Sequence, residues 1–100
     1  MIEIPMNDWS KRRLFNQTKK ATSRYKKYGN VGDTFTVDGF RYELELVIKV
    51  PLWFVIEDLY LSEGACSSDE LKQVWEKIHP KRGYRPFDLV WYHHFKEAND

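Results

Sequence analysis

Asp38-Gly39, followed by Phe40, Tyr42, Leu44 and Leu46 alternating with Arg41, Glu43 and Glu45, constrains this chain of 100 residues more than any other segment. An Asp-Gly pair reaches the left-handed backbone that a two-residue hairpin turn requires. Period-two patterning then gives the following strand one apolar and one wetted face. Upstream, Phe35 and Val37 alternate with Thr34 and Thr36, which predicts the partner strand. Beyond Val47 the run becomes continuously apolar. Pro51 marks a bulge, an edge or a break, because proline brings no N–H to a ladder.

The remaining elements arrange themselves around that hairpin. Residues 8–20 read as a first helix, with Asp8 or Ser10 as N-cap, Trp9 and Leu14 on one face, and Lys11, Arg12 and Lys19 on the surface. Thr22 to Tyr25 is extended in character, and Tyr28-Gly29-Asn30 with Gly32-Asp33 supplies turn chemistry. Trp53 to Ile56 forms a further strand or opens a short helix reaching Leu61. Ser67-Ser68-Asp69-Glu70 is a capping box, and the helix it opens runs to about Ile78 before Pro80 stops it. Leu71, Val74, Trp75 and Ile78 form that helix's apolar stripe. Phe87 to Phe95 reads as a last strand, and Trp53, Trp75 and Trp91 read as core. The order predicts a single α+β domain over residues 1–100, with a curved antiparallel or mixed sheet and no repeat or linker.

Composition excludes several classes. Aromatic residues make up 16% of the chain, enough for a dense small core and too many for a disordered one. The opening MIEIPMNDWSKRR lacks the apolar stretch of a signal peptide, and no run approaches the roughly 20 apolar residues that would cross a bilayer. Cys66 stands alone, so no intrachain disulfide or Cys-based metal site is expected. His93 and His94 point to opposite faces of a strand, and no carboxylate spacing completes a metal site with them or with His79. The expectation is a cytoplasmic protein, monomeric or a weak dimer, with no metal, cofactor or membrane partner. Charge is segregated: Lys11 to Gly32 carries eight cations and no acid, whereas residues 33–100 carry eight cations against thirteen acids. That asymmetry points to an anionic partner for the first third.

Three separated segments carry a resemblance. Gln17-Thr18-Lys19-Lys20-Ala21-Thr22-Ser23-Arg24 resembles the motif G-x-K-x-x-T-x-R, followed by Val31-Gly32-Asp33. Val50-Pro51 and Ser62-Glu63-Gly64 resemble a stretch leading to a Glu-Gly pair, and Trp75 to His79 resembles a W-x-x-x-H helix ending. Order and spacing together are similar to the ASCH family, over residues 10 to 96. The resemblance implies a PUA-like curved β-barrel of about five to six strands with two main helices. It also implies a cleft between the first helix and the barrel that binds RNA or a nucleoside. Some small members hydrolyse the amide of N4-acetylcytidine, and ribonuclease activity has been proposed for others. In the amidohydrolase the motif lysine, threonine and a downstream glutamate form the site, which here fall on Lys19, Thr22 and Glu63, with Arg24 beside them. Gln17 departs from the motif's glycine; a positive φ there would strain it.

Those side chains suit the chemistry. A threonine hydroxyl attacks an amide only if a neighbour takes its proton, and a lysine made neutral by burial or by a nearby arginine can do so. A carboxylate can pass the proton to the departing amine, and an arginine fork suits an oxyanion or phosphate. Read alone, Thr22 is a strand residue, Lys19 a solvated helix residue and Glu63 a local loop cap. Lys20, Tyr25, Lys26 and Lys27, together with Lys81, Arg82 and Arg85 near Tyr84, interleave cations with aromatics, a composition that holds phosphates and stacks bases where the two loops converge. A solvated basic face is the bland alternative. Two functions follow, an RNA- or nucleoside-binding domain and a small amidohydrolase.

Overall fold

The computed structural model describes residues 1–98. The hairpin lies where the pattern put it: β2, Thr34–Val37, and β3, Phe40–Pro51, pair antiparallel with Val37 opposite Phe40. Asp38 and Gly39 form the turn, both at positive φ. β3 is long enough to pair on its other edge with β4, Leu89–Glu97, which in turn pairs with β1, Ala21–Arg24. The four-stranded antiparallel sheet runs β1-β4-β3-β2 and curls into a half-barrel, with four strands among the described residues rather than five or six. A bulge between Leu44 and Leu46 shifts the β3–β4 register and sharpens the bend.

Three helices complete the fold among the described residues: α1, Asp8–Phe15; α2, Leu52–Asp58; and α3, Ser68–Ile78. The apolar stretch after Pro51 resolves as α2, which places Leu52, Val55 and Ile56 in the core and leaves Trp53 at the surface. Five apolar residues in a row fit a buried strand or a buried helix, and tertiary packing decides between them. The capping box at α3 forms with one shift: Ser67 Oγ accepts from the Glu70 N–H, while the Glu70 carboxylate reaches the Cys66 N–H at 2.7 Å.

The first helix is shorter than expected. Asn7, not Asp8 or Ser10, caps it, its Oδ1 accepting from the Ser10 N–H at 2.8 Å. It ends because Gln17 turns left-handed, at φ 67°. The Arg13 carbonyl then accepts from the N–H groups of both Thr18 and Lys19. This turn swings Lys19 off the helix surface and into the interior, where it is 3% exposed. The expectation of a surface Lys19 from helical spacing therefore fails, for a backbone reason.

Two apolar clusters fill the two sides of the sheet. Ala21, Val90 and Tyr92 pack against α2 and α3. Phe35, Tyr42, Leu44 and Phe95 fill the half-barrel, closed by Ile4 of the N-terminal arm and Leu14 of α1. His93 sits inside, fully buried, its Nδ1 3.1 Å from the Thr22 carbonyl and its Nε2 accepting from the Tyr28 N–H at 3.1 Å. Both ring nitrogens are thereby satisfied, and no group of three metal-ligating side chains exists among the described residues. Among the described residues no helix is long and apolar enough to cross a membrane.

Candidate functional site

The site begins with backbone geometry. The Ser62 carbonyl accepts from the N–H groups of both Lys20 and Ala21, which lays the α2–α3 loop along the start of β1. Gly64 allows that contact: at φ +98° it is left-handed, and a Cβ there would lie 3.0 Å from Arg13 Cβ and 3.1 Å from Lys19 Cβ. Glu63 consequently lies against Lys19, within hydrogen-bond distance. Lys19 Nζ donates to the Glu63 carbonyl at 3.1 Å and to its Oε1 at 3.3 Å, and Ser23 Oγ donates to Oε2 at 2.7 Å. All three residues are at most 6% exposed.

Burial pushes the Lys19 ammonium below its ordinary range, and Arg24 and Arg13 push the same way, while the Glu63 carboxylate opposes them. Withdrawal from water disfavours a charge, so this lysine gives up its proton more readily than a surface lysine. Arg24 leaves the edge strand on the other face. Its Nε donates to Thr22 Oγ1 at 3.0 Å, its Nη2 to the Pro5 carbonyl at 2.6 Å, and its guanidinium lies 5.6 Å from the Tyr28 ring centre. Thr22 is thus oriented by Arg24, and the hydroxyl coupled to the Lys19–Glu63 pair is that of Ser23.

These groups form the floor of a cavity of about 560 Å³ between α1, β1 and α3. Lys19, Thr22, Ser23, Arg24 and Glu63 all line it. Its walls are largely apolar: Trp9 from α1, with the Arg13 guanidinium 3.9 Å from its ring centre, and Leu71, Val74, Trp75 and Ile78 from α3. Pro5 and Met6 of the N-terminal arm close one side. The Trp75 indole N–H is buried without an acceptor among the described residues, an unmet donor costing about 1–3 kcal/mol.

The other basic residues divide. Tyr25 and Lys26 line the cavity; Lys20, Lys27, Lys81, Arg82 and Arg85 do not. Tyr25 is held edge-on to Trp75 and His79, and its hydroxyl donates to Asp88 at 2.9 Å. Arg82 donates to the same Asp88 at 2.8 Å and lies 4.8 Å over the Tyr25 ring. The loop after α3 does converge on Tyr25, through a neutralised contact that braces the cavity wall. Sequence reasoning missed Ser23, Trp9, Met6 and the role of α3 as a wall. Ser23 occupies a variable position of the motif and carries no signal of its own, whereas the α3 stripe was legible as core and turns out to face the cavity as well.

A crystal structure of an ASCH domain from Lactobacillus crispatus JV V101 superimposes on this chain with a TM-score of 0.63, covering 94% of this chain and 76% of that one. The fold is that of an ASCH domain. Sequence identity over the match is 18%, so the likeness is one of backbone architecture, the PUA-like half-barrel with its helices. No protein-family model matches the sequence, and no curated protein does.

Proposed function

We propose that the cavity receives a nucleoside, free or displayed by RNA, with its base between the aromatic walls and its polar edge on the Lys19–Glu63–Ser23 floor. One observation carries this reading: a buried, hydrogen-bonded cation–carboxylate–hydroxyl set in a pocket whose walls are largely aromatic and aliphatic. Pockets of roughly 300–1,000 Å³ with a few convergent polar groups are the usual form of a small-molecule site. A nucleobase is flat and apolar on its faces and presents donors and acceptors along its edge, which such walls and floor complement. Calorimetric titration with cytidine and N4-acetylcytidine tests the reading. Binding is expected, together with its loss in Lys19→Met. Absence of binding by the wild type refutes it.

A second reading, hydrolysis of the acylated exocyclic amide, is favoured by the lowered proton affinity of Lys19. In that reaction a hydroxyl oxygen attacks the acetyl carbonyl while neutral Lys19 or Glu63 takes its proton. The C–N bond then breaks as the proton passes to the departing amine, and water releases the acyl group. Two hydroxyls border the floor, Thr22 oriented by Arg24 and Ser23 donating to Glu63. Chromatography of N4-acetylcytidine incubations separates the two readings. Cytidine production abolished by Lys19→Ala and Thr22→Ala supports hydrolysis, and binding without turnover leaves a binding domain.

A further inference from the structure

We propose that Lys27 and Lys49, gathered around the Trp91 ring, form a phosphate subsite for the backbone of a single-stranded RNA whose target nucleoside occupies the cavity. This rests on the nucleoside reading above and goes beyond it by making the ligand a polynucleotide held outside the cavity as well as in it. Trp91 is half-buried rather than core, and its ring lies 5.1 Å from the Lys27 ammonium and 5.7 Å from that of Lys49. Both lysines are exposed, and among the described residues neither is paired with a carboxylate. Elsewhere the surface pairs such charges, as Lys11 with Asp38, Arg82 with Asp88 and Lys96 with Glu43.

Two ammonium groups collected at one indole repel each other, and exposed cation–π contacts offset that repulsion only weakly. A backbone phosphate at each ammonium removes that repulsion. The register places this pair beside the cavity. Arg24, a cavity residue, is the strand partner of Trp91, and Trp91 is the partner of Lys49. With strands roughly 4.8 Å apart, the row Arg24–Trp91–Lys49 extends about 10 Å from the cavity wall, within reach of a short single-stranded segment. Lys26, next to Lys27 in the chain, lines the cavity and lies 5.2 Å from the Tyr28 ring centre. Single-strand binders combine such unpaired cations and aromatics because phosphates meet the charges wherever the bases lodge.

The test uses a short labelled oligoribonucleotide containing one cytidine, measured by anisotropy across a salt series, with free cytidine titrated in parallel. The proteins are the wild type and the double variant Lys27→Gln/Lys49→Gln, whose changes are exposed and outside the cavity. Each phosphate neutralised on a single strand contributes about 0.7 to the log–log salt slope, so the double variant is expected to lose about 1.4 while keeping its cytidine affinity. Cytidine binding with an unchanged slope overturns the subsite alone. A slope difference without cytidine binding overturns the cavity reading, and with it the joint site. Tripolyphosphate that competes as well as the oligonucleotide reduces the cluster to a free-anion site and also overturns the proposal.

Discussion

Replacing Lys19 by methionine keeps the buried stem and removes the ammonium, leaving the Glu63 carboxylate 4% exposed with the Ser23 hydroxyl as its remaining side-chain donor. An uncompensated charge in such a place costs about 3–5 kcal/mol, whereas replacing both members of a buried pair with uncharged groups is often close to neutral. Lys19→Met is therefore expected to lose about 3–5 kcal/mol from a fold whose whole stability is on the order of 5–15 kcal/mol. With m of about 1–2 kcal/mol/M, the urea midpoint falls by roughly 1.5–5 M. Lys19→Met/Glu63→Gln recovers most of that loss. The pair also leaves a pH signature. Between the lowered Lys19 value and 10.5 the unfolded chain holds the extra proton, so this group raises stability as pH rises through that window, and Lys19→Met lacks the rise. A single variant within about 0.5 kcal/mol of wild type, or a double variant no better than the sum of its singles, would refute a sealed ion pair.

Burial lowers the His93 proton affinity from its ordinary 6.5, so the stability this neutral ring gives is present above that value and lost as pH falls below it. Urea midpoints at about pH 7.5 and about pH 5 should diverge more in wild type than in His93→Asn. Ser23→Ala, which strips the hydroxyl from Glu63, should cost about 1.5–3 kcal/mol by the same unfolding assay. Gln17→Gly should gain roughly 0.5–1 kcal/mol, since a left-handed glutamine is strained by about 1–2 kcal/mol and glycine returns part of that as backbone entropy. Gly64→Ala should move the opposite way by at least about 1–3 kcal/mol, from its φ and from the Cβ contacts with Arg13 and Lys19.

The hairpin and the α3 cap were legible because each is specified locally, by Asp38-Gly39 and by Ser67 with Glu70. Helical spacing did not show the end of α1, because a left-handed Gln17 looks like any helical glutamine; only the motif's glycine at that position pointed to the turn, which packs Lys19 against Gly64. Pattern-matching placed Lys19, Thr22, Arg24 and Glu63 in one site, and all four line the cavity, yet their partners are set by strand direction. Residues 22 and 24 project to one face of β1 and residue 23 to the other, which gives Arg24 to Thr22 and Glu63 to Ser23. Trp91 read as core within a period-two strand, because alternation cannot say how far a strand's end extends past its cover. Arg82 read as a free cation, because Asp88 comes within reach only when the loop folds back.

The most direct measurement is an amide and indole NMR titration with cytidine. Expected are shifts confined to the Trp9 and Trp75 indoles, the Lys19–Arg24 segment and Glu63, with the far hairpin at Asp38-Gly39 unmoved. Saturating cytidine that leaves those indoles and the β1 amides in place, or that shifts only residues remote from the Lys19–Glu63 floor, contradicts a ligand site in the cavity.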